Sequence, residues 1–250
     1  YKTIHQLKSG KTAKEKMDLY KHQTIEDVNK DVMLWAKQQK EKIEQLKKLQ
    51  EYRQEFLGNV SHELKTPIFN IQGYVLTLLD GGLEDPNVNR SYLQRTEKSI
   101  NRMISIVEDL ETISKLEAGT RKLDIKKVDV LALIKEIIEI FDIKAKQKNI
   151  HITLADHHEK SIHVLADKES LKQIVSNLID NSIKYGKFDG KTKISFFDMD
   201  ENVLIEITDN GIGVEKENIP RLFERFYRTD KSRSREQGGS GLGLAIVKHL

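Results

Sequence analysis

Phe56-Leu57-Gly58-Asn59-Val60-Ser61-His62-Glu63-Leu64-Lys65-Thr66-Pro67 sets an imidazole, an adjacent carboxylate and, one turn later, a hydroxyl into a helical apolar pattern. His62 and Thr66 are i and i+4, so they lie one above the other on one helix face. Pro67 follows directly, and its ring predicts a bend just past the imidazole. On these residues alone His62 fits a nucleophile, a general base, a metal ligand or an ordinary surface histidine.

Upstream, helix formers dominate from about Glu26, and no glycine interrupts them before Gly58. Ile43, Leu46, Leu49, Tyr52, Phe56 and Val60 recur every three or four residues among Lys, Glu and Gln. That narrow apolar seam is the pattern of a coiled coil. Residues 1–35 are Lys-rich and polar, and read either as a solvated leader or as a connector receiving a signal from upstream. Downstream, the period continues through Ile68, Ile71, Val75, Leu78 and Leu79 to Asp80-Gly81-Gly82, where glycine supplies a left-handed stop. Asp85-Pro86 predicts an N-cap and first helical residue. A second helix then runs to Glu117, with Leu93, Thr96, Ile100, Met103, Val107, Leu110 and Ser114 on a heptad and Ile104 and Ile113 widening the stripe. Two such helices form an antiparallel hairpin whose seam stays half wet. Pairing two copies into a four-helix bundle buries it, and packing on another domain of the same chain would also serve.

The chain has 250 residues, 32% of them charged and 38% hydrophobic, with a net charge of +3 and no cysteine. Disulfides, Cys-ligated metal and a Cys nucleophile are excluded. The charge is too small, and no basic patch with interleaved aromatics exists, to support nucleic-acid binding. No run of about 18 apolar residues is long enough to span a membrane, and no signal-peptide pattern opens the chain. It begins mid-pattern and stops at Leu250 within a helical pattern, as an excised piece of a longer protein would.

After Ala118-Gly119-Thr120 the regime changes. β-like runs at Ile125–Val128, Ile150–Leu154, Ile162–Ala166, Thr192–Phe197 and Val203–Thr208 enclose helix patterns at Val130–Lys146 and Lys168–Lys184, with Asp129 and Asp167 as N-caps. One mixed sheet with helices on one face is the expected architecture. Four segments here suit a polyphosphate. Asn177, Asn181 and Lys184 share a helix stripe, with Leu178 and Ile179 facing a core; carboxamide oxygens suit a hydrated Mg²⁺, although a polar outer face would look the same. Asp209-Asn210-Gly211-Ile212-Gly213 ends a strand and is either a ligand loop or a plain turn. Phe223 and Phe226 can anchor a helix turn, before a charged stretch carrying Arg228, Lys231, Arg233 and Arg235. Gly238-Gly239-Ser240-Gly241-Leu242-Gly243 opens a helix, presenting free N–H groups; it is neither a Walker A loop nor a dinucleotide fingerprint.

Singly these are weak; in this order they form a specific set. His62-Glu63-Leu64-Lys65-Thr66-Pro67 on a hairpin, followed by the Asn, Asp-x-Gly-x-Gly, Phe and Gly-x-Gly-x-Gly segments, resembles the sensor histidine kinases of two-component systems over about residues 45–250. The resemblance implies an α-helical-hairpin dimerisation domain (45–119), a four-helix bundle as a dimer, followed by an α/β-sandwich ATP-binding domain (120–250), behind a HAMP-like or coiled-coil linker (1–44). It also implies that the ATP-binding domain continues past Leu250. His62 would accept the γ-phosphate of ATP, Glu63 would act as base on the other ring nitrogen, and Thr66 would orient water in a phosphatase reaction. Asn181 would hold Mg²⁺ with Asn177 nearby. Lys184 would meet phosphate, Tyr185 the adenine ring and Asp209 the adenine amine. Gly211, Gly213, Gly239, Gly241 and Gly243 would let the backbone close on nucleotide, and Arg228 would neutralise the transferring phosphate. The implied partners are a second copy of the chain, a response regulator receiver domain and an upstream sensor with a transmembrane segment, placing this part on the cytoplasmic side of an inner membrane. Alternatives are a dimeric scaffold or phosphatase-biased relay, and an ATPase of the gyrase or chaperone type. Ser182 departs from the small apolar residue usual in the family. His157 and His158, with Asp156 and Glu159, form at most an adventitious metal site.

Overall fold

The structure, a computed structural model, describes residues 25–155, 161–229 and 239–250. The His157–His158 cluster and Lys231, Arg233, Arg235 and Gly238 lie outside the described residues. The chain divides into two compact units, the first ending at Gly58 and the second running Asn59–Leu250. Helix α1 (Ile25–Thr77) carries the chain through that division. In the first unit Met33, Leu34, Ile43, Leu46, Leu49 and Tyr52 stay exposed along it.

The second unit begins with the His62 segment of α1. The expected bend does not end the helix: α1 continues through a buried Pro67 to Thr77. Proline removes one backbone hydrogen bond from a helix, and burial of the Pro67 ring offsets part of that loss. A wide turn over Leu78–Gly82 closes α1, with the Leu83 N–H donating to the Leu78 carbonyl at 2.9 Å and Gly81 at φ 99°. Asp85 is not the N-cap of the second helix. Its carboxylate accepts the Asn87 N–H at 2.8 Å and its carbonyl accepts from Val88 and Asn89. An aspartate bonds readily to a backbone N–H two residues on, and that turn delays the helix. Helix α2 (Asn89–Glu117) therefore starts later, with Val88 at its N-cap.

The α/β part follows the expected elements closely: β1 (Ile125–Asp129), α3 (Val130–Lys146), β2 (His151–Leu154), β3 (His163–Asp167), α4 (Lys168–Tyr185), β4 (Lys191–Met199), β5 (Asn202–Asp209) and α5 (Gly243–His249). Asp129 caps α3 by accepting from the Ala132 N–H, and Asp167 caps α4 by accepting from the Ser170 N–H. The single mixed sheet resolves into two pieces. β1 pairs antiparallel with β3 (Val128 opposite Val164). β4 sits between parallel β2 and antiparallel β5. Among the described residues no ladder joins the two pieces.

Helices α3 and α4 cover this sheet. Val130, Ile134 and Ile137 from α3, Val175, Ile179 and Ile183 from α4, and Ile194 and Phe196 from β4 form the buried core. On α4 the core stripe is 175, 179, 183. Positions 177 and 181 are two residues round from it, about 200° on a helix of 3.6 residues per turn. Core packing on one side thus turns Asn177 and Asn181 outward. Lys148 fixes the far end of α4, its Nζ donating to the carbonyls of Ile183 and Lys184 at 2.9 and 2.6 Å.

Candidate functional site

A cavity of about 410 Å³ lies within the second unit. Asn177, Asn181, Lys184, Tyr185, Asp209, Gly213, Arg228, Gly239, Gly241 and Gly243 all line it. Segments spread over 67 positions of sequence thus converge on one space, placed there by α4, the end of β5 and the Gly-rich loop before α5. Gly211 is the expected nucleotide residue that does not line it. It lies behind the wall, where its N–H donates to Asp209 Oδ1 at 2.8 Å. A Cβ at Gly211 would sit 2.5 Å from the Tyr185 carbonyl oxygen, which itself accepts the Ile212 N–H. Glycine here lets the turn press against the end of α4 and so orients the Asp209 carboxylate.

Polar groups in the cavity are already networked. The Asn177 carboxamide donates to the Gly243 carbonyl at 3.3 Å, tying α4 to the Gly-rich loop. Lys184 pairs with Asp180 on its own helix at 2.5 Å, and Lys144 pairs with the same carboxylate. Burial pushes Asp180 up, but attraction to Lys184 and the hydrogen bonds and charge of the two lysines outweigh it and hold the carboxyl below its ordinary value. Leu178 differs from expectation, facing the cavity rather than the core. Ser182 is buried, donates to the Ile179 carbonyl and accepts from the Thr192 hydroxyl at 3.1 Å. Its hydroxyl is satisfied, which is why a polar residue is tolerated there.

The Phe pair does not build a helix turn. Residues 222–226 form successive turns, with Phe226 at φ 59° and its N–H donating to the Gly241 carbonyl at 2.9 Å. Phe226 packs beside Ile113, Leu242 and Ile246, whereas Phe223 stays exposed. That tertiary contact holds Phe226 in a left-handed conformation no helix allows.

His62 is exposed on α1 and does not line the cavity, nor do Glu63 and Thr66. Thr66 Oγ1 donates to the His62 carbonyl at 3.3 Å. Glu63 accepts from Arg102 of α2 at 2.8 Å. The same carboxylate lies 3.9 Å from Arg228, whose side chain lines the cavity and is 8% exposed. The residue beside His62 is therefore linked to the cavity wall.

Residues 52–119 match the His Kinase A (phospho-acceptor) domain, and residues 166–250 match the histidine kinase-, DNA gyrase B- and HSP90-like ATPases. The solved structure of Acinetobacter baumannii histidine kinase AdeS is 30% identical with a TM-score of 0.59, over 75% of this chain and 84% of that one. This chain belongs to the sensor histidine kinase family. Full-length ShkA, solved in complex with AMPPNP, is 28% identical with a TM-score of 0.56, over 78% of this chain and 40% of that one. Among curated proteins, sensor histidine kinase WalK of Bacillus subtilis is 31% identical over 210 residues, 83% of this chain and 34% of that protein. Phosphate regulon sensor protein PhoR of Pseudomonas aeruginosa is 37% identical over 209 residues, 83% of this chain and 46% of that protein. The chain thus spans less than half the length of these two relatives.

In this histidine kinase chain three further residues meet the site. Ser105 and Asp109, from α2, line the cavity alongside α4. Arg102 holds Glu63. Ser105 and Asp109 are i and i+4, a polar stripe beside the apolar heptad that could have marked a second working face of α2. Arg102 carried no local signal. Among the described residues no cluster of three His, Cys, Asp or Glu side chains forms a metal site, and no helix is long and apolar enough to cross a membrane.

Proposed function

We propose that the chain is an ATP-dependent protein-histidine kinase that phosphorylates His62 and passes the phosphoryl group to an aspartate of a response regulator, which it also dephosphorylates. The observation that carries this reading is Arg228, which lines the nucleotide-sized cavity while lying within 3.9 Å of the carboxylate next to His62. In the transfer a ring nitrogen of His62 bonds to the γ-phosphorus as the bond to the ADP oxygen breaks. Such reactions need in-line positioning and charge neutralisation above all. Arg228 supplies the charge, and Glu63, released from Arg102, takes the ring proton. Tyr185 and Asp209 hold the base, and Gly213, Gly239, Gly241 and Gly243 admit the phosphates. Lys184 turns from Asp180 to phosphate. The carboxamides of Asn181 and Asn177 are oxygen donors on one outward stripe, a set that fits Mg²⁺. The ion, when bound, supplies further neutralisation of phosphate charge.

The domain reading is a linker over 1–44, a dimerisation and phosphotransfer domain over 45–119 and an ATP-binding domain over 120–250, in a homodimer. By family analogy the chain is the cytoplasmic part of an inner-membrane sensor. Sequence upstream of Tyr1 checks this, an apolar run of about 20 residues being expected.

Incubation with labelled ATP and Mg²⁺ tests the main claim. The label on the protein is expected to be acid-labile and base-stable, and absent from His62→Ala. Label persisting in that variant would remove His62 from the reaction, and calorimetric absence of nucleotide binding would favour a dimeric scaffold.

A further inference from the structure

We propose that Asp109 is a positioning residue that clasps the Gly-rich loop to α2 through Ser240, and that the clasp opens when nucleotide phosphates occupy the cavity. The inference rests on the nucleotide reading above. The Ser240 hydroxyl donates to Asp109 Oδ2 at 2.9 Å, and its oxygen accepts the Leu242 N–H at 3.3 Å. One hydroxyl thus shapes the turn into α5 and also fastens that turn to α2. Leu242, two residues on, is fully buried with Ile113 of α2 and Ile246 of α5. The bond sits at the polar edge of that apolar contact.

Asp109 differs from the other carboxylates of the cavity. Asp180 is held by Lys144 and Lys184. Asp209 accepts from the Gly211 N–H. Asp109 has no Lys or Arg within ion-pairing distance among the described residues, and its hydrogen bond goes to the loop whose glycines line the cavity. Burial also raises its carboxyl above the ordinary value, partly opposed by that bond. Lys184 attracts Asp109 without ion-pairing with it, and a carboxylate in the wall of a polyphosphate site works against binding, so its place there is better explained by what it holds. An entering phosphate repels Asp109 and offers the Ser240 hydroxyl another charged acceptor. The exchange frees the Ser240 end of the loop from α2, which pairs with the histidine-bearing helix, while Leu242 keeps its contact with Ile113. Loop attachment and cavity occupancy are therefore alternatives decided at one bond.

Amide exchange on the nucleotide-free full chain, with calorimetric titration of ATP and of ADP, tests the clasp. Loss of a hydrogen bond to a charged acceptor is worth roughly a tenfold change in a local opening equilibrium. Exchange at Phe226, whose N–H donates to the Gly241 carbonyl at 2.9 Å, is thus expected to quicken about tenfold in both Asp109→Ala and Ser240→Ala. Adding Asp109→Ala to Ser240→Ala should quicken it no further, and Asp109→Asn, which keeps an acceptor, should restore protection. Asp109→Ala should also bind ATP roughly five- to tenfold more tightly, since no clasp has to open. Wild-type exchange in Asp109→Ala, or unchanged or weaker ATP binding by that variant, overturns the clasp alone, provided that the unaltered chain binds nucleotide. No binding by the unaltered chain overturns the nucleotide reading and this inference with it.

Discussion

Among the glycines that line the cavity, Gly241 meets the closest main-chain neighbours. Its φ is 74°, and a Cβ would lie 2.9 Å from the Cα and carbonyl carbon of Phe226, main-chain atoms that cannot move aside. Gly241→Ala is expected to weaken nucleotide binding at least about tenfold through strain and displacement of this loop. Gly243→Ala, whose Cβ would meet the Asn177 side chain at an ordinary 3.5 Å, should cost far less. Equal losses in a side-by-side titration would show that the Phe226 contact is not what matters. Asp167 makes a different prediction. Hydrogen bonds from the Ser170 hydroxyl, then the Asp124 and Ser170 amides, with Arg121 nearby, hold its carboxyl down to about 2, against 3.8 unperturbed. A depressed folded value means that the contribution is complete above about 3.8 and is lost as pH falls towards 2. Asp167→Asn keeps an N-cap acceptor but cannot titrate, so its urea midpoint should vary less than wild type across that window. A parallel pH profile would assign the acid sensitivity elsewhere. On the proposed function, Thr66→Ala should lower phosphatase more than kinase activity in paired assays, and equal loss of both would show that Thr66 does not direct water. Its hydroxyl rests on the His62 carbonyl, one turn from the imidazole, a backbone contact that water-directed chemistry can replace.

At the scale of elements, α2 does several jobs on different faces, and this explains what could be read in advance. Strands, α3 and α4 were legible because period and caps agree: Asp129 and Asp167 stand where β-runs give way to helical spacing. The Asn177–Asn181 stripe was legible for the same reason, as the polar complement of an apolar face. A single heptad describes only one face of α2. Buried Ile106 and the cavity-lining Asp109 lie off it, and Arg102 works through a residue 39 positions away. The turn at Phe226 depends on Ile113 and Leu242, contacts that exist only after folding. Ile113, 1% exposed, is therefore the fully buried residue by which α2, with Leu110 beside it, holds α5. Ile113→Ala is expected to destabilise that contact by about 2–4 kcal/mol, the usual range for emptying a buried isoleucine site. Faster amide exchange in α5, with the α3–α4 core still protected, would express it. Uniform loss of protection throughout would mean that the contact is not a separable element.

At the scale of the whole molecule, the hairpin leaves too much apolar surface in water for a chain that works alone. Ile68 and Val75 on α1 and Leu79 in the turn that closes it follow helical spacing, with Phe69 and Leu76 beside them, and all are exposed; Leu79 is 76% so. Across the turn, Leu93, Ile100, Ile104 and Val107 repeat the stripe on α2 and are equally exposed. Contiguous patches of this kind mark interfaces rather than ordinary surface. Ile106 and Pro67 are already buried within the single chain, so the exposed stripe is a separate face that needs another molecule. A second copy is self-complementary to it, because a twofold axis sets each stripe against its own image. Sedimentation equilibrium of the full chain is therefore expected to give twice the 28.9 kDa monomer mass. Placing a carboxylate at the centre of the stripe, in Ile104→Glu, would bury an unpaired charge in each half of the bundle and should shift the protein to monomer. Circular dichroism should change little, because Ile104 is already half exposed in the single chain. A monomer at micromolar concentration for the unaltered chain, or an Ile104→Glu variant that remains dimeric, would place the interface on another face.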